Sequence, residues 1–555
     1  MQEVQKSIQD ICRDLYGLEQ DVILTRPDEQ FGDFATNVSL QLTKHAGKNP
    51  REIAAEITQK LLEQLPDVVS EASVAGPGFI NIRLTDAALI AQTKHVLSPQ
   101  ASIVQKVLVE YSDPNPLKPL HAGHLYTTVV GDAIARLIER SGAEVIRLNY
   151  GGDVGLHVAK SMWSILTSLG GENPEKLADV SEKDRANWLG TRYVEGNNAY
   201  EEDETAKQEI VAINKRVYAI HAEGDHESAF AQIYWTVRQW SYDYFASLYH
   251  QLGVKSFDRF IPESEVTSLG VATVNEHTGS VYTESDGAVI FNGDAIGLHT
   301  RVFINSEGLP TYEAKEVGLL ETKWNEYAFD SSIVITANEQ QQYMEVVLKS
   351  IEQFQPEPIK RTKHLTHGVV KLAGGVKMSS RKGNIVSALD ILDAARHAGD
   401  LSGRANDESV VLAAVKYAFL KNRIGGDVVY DPQESVMLEG NSGPYLQYAH
   451  ARARSILSKA TPKEVELTKL EQGERNLVLK LTEYPEVIVR ASAELMPHLI
   501  CTYLYELAQR FNRFYEQNRV LGDAREAERL ILLRIYADVL KNGLSLLGIV
   551  APENM

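Results

Sequence analysis

A short apolar run, Gln105-Lys-Val-Leu-Val-Glu-Tyr-Ser112, is followed by a proline-rich turn, a helical pattern beginning near His121, and a second apolar run, Val145–Tyr150. Strand, helix and strand within about 45 residues predict a βαβ unit and therefore a parallel sheet. No other feature limits the fold as tightly. Strand-like runs return at residues 287–292, 301–305 and 332–337, with helical stretches at 312–324 and 339–354. They predict a second α/β half, separated from the first by a polar, helical insertion over about 155–285. The acidic cluster Glu201–Glu204 within it suits a solvated face.

The 555 residues allow three to four domains at about 150 residues each. Residues 1–100 read as a small α+β unit: helical patterns at 4–15, 34–45 and 51–65, then strands at 68–74 and 79–84 around Gly76-Pro-Gly78. From about 385 the pattern is almost entirely helical. Hydrophobic residues at 44% and charged residues at 24% are those of a soluble globular chain. A net charge of −19 excludes a general polyanion binder, so any nucleic-acid contact requires a local basic surface. Residues 443–555 carry 15 Lys/Arg against 14 Asp/Glu, which leaves −20 on the rest. There Tyr445, Tyr448, Tyr503, Tyr505, Phe511, Phe514 and Tyr515 interleave with Arg452, Arg454, Arg510, Arg513 and Arg519. That mixture suits unstacked bases, and it equally suits a helix bundle with an aromatic core. Cys12 and Cys501 stand at opposite ends of the chain and cannot form a Cys-x-x-Cys zinc site. With no apolar run of signal-peptide or membrane-spanning length, the chain is expected to be cytoplasmic.

Two segments carry the chemistry. Pro116-Leu-Lys-Pro-Leu-His-Ala-Gly-His124 lies between the first strand and its helix. Two histidines three residues apart at a helix start project from nearly one face. Free N–H groups and the helix dipole there favour an anion, and Gly123 leaves room for a nucleotide. A His-x-x-His pair alone is more often structural than functional. Its place after the first strand of a doubly wound sheet, where such folds bind ligands, strengthens the functional reading. The second segment, Lys377-Met-Ser-Ser-Arg-Lys-Gly-Asn384, brings three cations and two hydroxyls behind Ala373-Gly-Gly375, a pattern able to clamp phosphates. No P-loop of Walker type occurs.

In this order, the two segments resemble the signature pair of class I aminoacyl-tRNA synthetases. His121-Ala-Gly-His124 is similar to the His-Ile-Gly-His motif, and Lys377-Met-Ser-Ser-Arg381 to the Lys-Met-Ser-Lys-Ser loop. Ser380 replaces the second lysine of that loop, and Lys118 or Lys382 could supply the missing charge. Within the class the resemblance is to the arginyl-tRNA synthetase family. It rests on Phe31-Gly-Asp-Phe-Ala-Thr-Asn37, Ala75-Gly-Pro-Gly-Phe-Ile-Asn81, Glu110-Tyr-Ser-Asp-Pro-Asn115, Gly440-Asn-Ser-Gly-Pro-Tyr-Leu-Gln-Tyr-Ala-His450 and the closing Ala551-Pro-Glu-Asn-Met555.

The resemblance implies an α/β catalytic core with a Rossmann-type parallel sheet over residues 101–384. Around it are an N-terminal α+β domain that touches the tRNA elbow (1–100), a helical connecting region (385–442) and an all-α anticodon-binding bundle (443–555). It implies ATP with Mg²⁺, L-arginine and tRNA-Arg as substrates, adenylate formation only with tRNA bound, no structural zinc, and a chain expected to act as a monomer. His121, His124 and Lys377 would be catalytic, with Gly123, Met378, Ser379 and Ser380 completing the ATP contacts. Glu316 would take the guanidinium, because planar bidentate pairing is the strong mode, and Tyr312 would wall the pocket. Many relatives carry aspartate where Glu316 stands. Glu110 and Asn115 would hold the α-amino and carboxylate groups, with Glu339 a weaker candidate and Asp113 without an assigned role. Gly152, Asp153 and Gly155 read as a structural loop that also reaches the substrate. Phe79, Asn81, Tyr445, Gln447, Tyr448 and Arg452 would contact tRNA. The alternatives are a class I synthetase for another amino acid and a non-catalytic tRNA-binding relative.

Overall fold

The computed structural model describes residues 1–98, 105–373, 386–401, 407–461 and 465–555. Its centre is a five-stranded sheet in which every neighbouring pair is parallel. In space the strands run Thr362–His367, Ser331–Ala337, Lys106–Glu110, Glu144–Gly151, Arg259–Pro262. Numbered along the chain and read from the Arg259–Pro262 edge, this is the order 3-2-1-4-5 of a doubly wound sheet, with its switch point between Lys106–Glu110 and Ser331–Ala337. Ligands in such sheets bind beyond the carboxyl ends of the strands at that switch point, so the fold itself says where to look.

The two edge strands are the ones the sequence does not announce. Arg259–Pro262 falls inside the stretch expected to be a helical insertion, and Thr362–His367 is polar at every position except Leu365. An edge strand is covered on fewer sides than a central one and does not need a continuous apolar run. Conversely, Ala288–Phe291 and Arg301–Ile304 do not extend the parallel sheet, as had been expected. With Thr283–Ser285 they form a separate three-stranded antiparallel sheet. The cause is the Asp286-Gly287 pair, both residues at positive φ (49° and 77°), which closes a two-residue hairpin between Ser285 and Ala288.

The helix Ala122–Arg140 lies at the heart of the molecule. Of its 19 residues 14 are buried, because it is covered by the sheet on one side and by C-terminal helices on the other. A side chain at Gly131 would collide with the ring of Tyr111, so this position admits only glycine without displacing a core tyrosine. Helices Leu156–Leu169, Arg185–Glu202, Glu204–Glu223 and Ala229–Leu252 pack around a core of their own, and Glu201–Glu204 are exposed on it.

In the N-terminal unit, Phe34–Thr36 is a strand where a helix had been expected, and the helix begins at Val38. Ile80 and Ile82 enter its core, while Phe79 and Asn81, on the opposite face of the same strand, do not. The C-terminal helices pack against this unit through ion pairs: Arg475 meets Asp33 at 2.6 Å and Asp86 at 2.7 Å, and Arg26 meets Glu486 at 2.9 Å. Among the described residues no helix is long and apolar enough to cross a membrane.

Candidate active site

Beyond the carboxyl ends of Lys106–Glu110 and Ser331–Ala337 lies a cavity of about 540 Å³. Its wall includes Glu110, Asn115, His121, Gly123, His124, Tyr312, Glu316 and Glu339, so every described residue assigned to ATP or arginine borders one space. Lys377, Met378, Ser379 and Ser380, together with Lys382, lie outside the described residues. The chain re-enters beside His121: Ala122 N donates to Val386 O at 2.8 Å, and Ala388 N to Leu120 O at 2.9 Å.

The histidine pair is built into the start of the central helix. His121 is the N-cap, and its Nδ1 accepts from Gly123 N (3.1 Å) and His124 N (3.4 Å). His124 Nδ1 in turn accepts from His121 N at 3.3 Å, which closes a capping box. The rings stack 3.7 Å apart. Two of the backbone N–H groups expected to meet an anion are therefore taken by His121, and the space over Gly123 is filled by the same ring. The anion-directed donors are the imidazoles. With each Nδ1 used as an acceptor, each neutral ring carries its proton on Nε2, away from the helix. Burial, then Lys118 and His367, lowers the pKa of His121 to about 4. Burial and His121 push His124 well down as well. The site thus holds two neutral Nε2–H donors at working pH.

The same cavity also gathers several acids. Glu110 is 2% exposed and pairs with Lys323 at 2.8 Å. Glu316 lies close enough to feel its charge: burial first, then Glu110, raises its pKa to about 8, although Lys323 and a hydrogen bond with Tyr343 pull the other way. Burial and Glu110 push Asp113 well up too, and its Oδ1 accepts from Tyr150 N at 2.8 Å. Asp113 therefore pins the end of the second strand, in a loop where Ser112, Asp113 and Leu117 all have positive φ. Asn115 stands on another wall, its Oδ1 accepting from Gly152 N at 2.9 Å. Glu339 is exposed at the mouth.

Gly152 lines the cavity, whereas Asp153 is fully buried behind it. The Asp153 carboxylate accepts from Ser264 N (2.9 Å), Ser264 Oγ (2.8 Å) and Arg238 (3.0 Å), which anchors the loop to the helical insertion. Sequence reasoning missed Tyr150, Lys323 and Tyr343, and it missed the buried Lys315–Glu263 pair and His157. Lys315 and Lys323 are buried cations of the helix Tyr312–Tyr327, which also carries Glu316.

On the C-terminal helix Gly443–Lys459, Tyr445, Tyr448 and Arg452 fall at i, i+3 and i+7 and share one face. Tyr448 is 41% exposed, Arg452 lies over the Tyr515 ring, and Tyr445 bonds to Asn512. Gln447 points the other way. It is fully buried, and its amide donates to Val550 O (2.8 Å) and Ser409 O (3.3 Å), so the expectation of a tRNA contact there is corrected to a packing role. Tyr503, Phe511 and Phe514 are core residues as well, Phe511 stacking on Tyr536 at 4.1 Å. The bundle reading holds for these three, while Tyr448 stays open to a ligand.

Comparison with known proteins first defines the class. Residues 85–431 match the family model of the class I tRNA synthetase (R) catalytic domain. Residues 446–555 match the DALR anticodon binding domain, and residues 2–84 the arginyl tRNA synthetase N-terminal domain. The chain belongs to the arginyl-tRNA synthetase family. The arginine–tRNA ligase of Cutibacterium acnes is 31% identical over 96% of both chains, and that of Phocaeicola vulgatus 28% identical over 99% of this chain and 98% of its own. The arginyl-tRNA synthetase structure from Thermus thermophilus superposes with a TM-score of 0.77 at 26% identity, covering all of both chains. The Plasmodium falciparum enzyme gives 0.79 at 22% identity, a likeness of fold.

Proposed function

We propose that this chain is an arginine–tRNA ligase that activates L-arginine with Mg²⁺-bound ATP and esterifies the 2′-hydroxyl of the terminal adenosine of tRNA-Arg. The observation that carries this reading is one cavity lined both by neutral imidazole donors and by a cluster of carboxylates. A carboxylate oxygen of arginine attacks the α-phosphorus, and the bond to pyrophosphate breaks. The 2′-hydroxyl then attacks the arginyl carbonyl and AMP leaves. No covalent enzyme intermediate is needed, so catalysis consists of positioning and of stabilising charge that grows on phosphoryl oxygens. His121 and His124 meet those oxygens, and Lys377, Met378, Ser379 and Ser380 are the further ATP contacts that the family resemblance implies. Glu316 takes the guanidinium, Glu110 and Asn115 hold the α-amino and carboxylate groups, and Glu339 stands at the entrance. The adenylate would form only with tRNA bound, and the chain would act as a monomer. The direct test is charging: labelled arginine should become acid-precipitable on tRNA-Arg and fail to do so on the same tRNA ending in 2′-deoxyadenosine. Equal charging of the 2′-deoxy species would refute the proposed site of transfer.

Arginine affinity should depend on pH through Glu316. The guanidinium needs an ionised partner, yet the empty site keeps Glu316 protonated up to about pH 8. Arginine itself stays charged throughout. Affinity should therefore fall about tenfold for each unit below pH 8 and level off above it, with close to one proton released per arginine bound at pH 7. Titration calorimetry in two buffers of different ionisation enthalpy reads that proton directly. A flat affinity between pH 6 and 8 would place the guanidinium elsewhere.

For tRNA, Phe79 and Asn81 on the outer face of the N-terminal strand and Tyr445, Tyr448 and Arg452 on one helix face are the proposed contacts. Deleting residues 443–555 is not a usable test, because Lys416 and Tyr417 bond into that segment at Gly548 O and Cys501 O, and its removal would strip the central core. Tyr448→Ala is the clean change. Loss of one stacked base should weaken tRNA-Arg binding by about 1–3 kcal/mol and blur the preference over a tRNA with an altered anticodon. Full retention of that preference in a binding titration would leave Tyr448 with no part in reading tRNA.

A further inference from the structure

Behind the arginine cavity, one imidazole spans two of its walls. His157, on the first turn of Leu156–Leu169, places Nε2 2.7 Å from Gly152 O and Nδ1 3.3 Å from the Tyr312 hydroxyl. A carbonyl oxygen can only accept, so Nε2 must carry the proton and Nδ1 must be the bare lone pair. The Tyr312 hydroxyl then donates to Nδ1. Its single proton is committed, and its remaining capacity toward the cavity is as an acceptor. Arginine presents N–H donors at its guanidinium and at its α-ammonium. An acceptor-only hydroxyl matches either cation, whereas a freely rotating one would spend part of its time presenting its proton to it.

We infer that His157 is a positioning residue of the arginine site, which fixes the Gly152 peptide and holds the Tyr312 hydroxyl as an acceptor toward the substrate's N–H groups. The inference rests on assigning this cavity to arginine. Burial, together with nearby Lys315 and Lys118, lowers the His157 pKa to about 4, against the pull of the Gly152 bond, so the neutral tautomer persists through the working range. Gly152 is held from its other side by Asn115. His157 therefore ties a residue after the first strand, a loop after the second and the start of the helix that carries Glu316 into one frame.

The experiment compares, with tRNA-Arg present, the Michaelis constant for arginine and the turnover of arginine-dependent pyrophosphate exchange in the full chain and four variants. His157→Leu should raise the Michaelis constant about tenfold and change turnover less than twofold, the loss of one directed hydrogen bond. His157→Gln should stay within twofold of the parent, because its amide can donate to Gly152 and accept from Tyr312 together. Tyr312→Phe should resemble His157→Leu, and in the double variant the two effects should fall well short of multiplying, with only the Gly152 bond lost in addition. A Gln variant as impaired as Leu, singles whose effects multiply in the double, or an unchanged Michaelis constant in His157→Leu would each overturn the inference. Should Leu unfold the loop, His157→Asn, too short to span both partners, takes its place with the same expectation. A parent that does not activate arginine at all would instead defeat the functional reading, so the two failures are told apart.

Discussion

Replacing His124 with alanine should lower the rate of adenylate formation about a hundred- to thousand-fold while leaving the Michaelis constant for arginine within a few-fold of the parent. The His124 ring is proposed to offer one neutral Nε2–H to the phosphates, fixed in direction by the bond from His121 N to its Nδ1. A donor that strengthens only as charge moves onto the phosphoryl oxygens contributes about 3–4 kcal/mol to the transition state and little to ground-state binding. The carboxylates proposed to hold arginine are separate groups from this ring, so substrate affinity should hardly change. Part of the capping box is lost as well, at about 1 kcal/mol of stability, and a thermal melt separates that small cost from the catalytic one. A near-normal turnover number would remove His124 from catalysis.

Glu316→Gln should act on the other quantity. Leaving a guanidinium without its buried partner costs about 3–5 kcal/mol, and the loss should be greatest above pH 8, where the parent carboxylate is ionised. At pH 7 the parent already gives up about tenfold to protonation, so the gap narrows there. Discrimination against citrulline, nearly the same shape without the cation, should shrink with it. Stability should move the opposite way. The folded state holds Glu316 protonated well above the usual carboxylate range, so its effect on stability is nil below about pH 4.5 and grows more unfavourable as pH rises toward 8. Glutamine removes that cost, and the variant should melt higher than the parent at neutral and alkaline pH. If it binds arginine as tightly as the parent at pH 8.5, the guanidinium has another partner, with Glu110 the nearest acid.

The central strands were legible because they are buried on both faces and must be apolar. Lys106–Glu110, Glu144–Gly151 and Ser331–Ala337 stand where the sequence puts them, within a residue or two. The edge strands were not legible for the converse reason, and the Asp286-Gly287 hairpin was a readable signal overlooked in favour of the surrounding apolar runs. The histidine pair could be found from spacing, but its use could not. Only the geometry shows that Nδ1 of each ring is consumed by the helix start, which fixes the tautomer and leaves Nε2–H for the substrate. Likewise Glu316 could be named from sequence, whereas its raised pKa needs Glu110 beside it, 206 positions away in the chain and adjacent only once the switch point forms. In the C-terminal bundle, composition could not distinguish Tyr448 from Phe511, because a stacking platform and an aromatic core use the same residues until burial separates them.

The central claim is that this cavity activates arginine on ATP, and pyrophosphate exchange tests it most directly. The purified chain should move label from pyrophosphate into ATP when arginine and tRNA-Arg are both present, and stay at background with any of the other nineteen amino acids or with tRNA omitted. Exchange driven by a different amino acid, or none with arginine from a chain that still binds tRNA-Arg, would contradict the account.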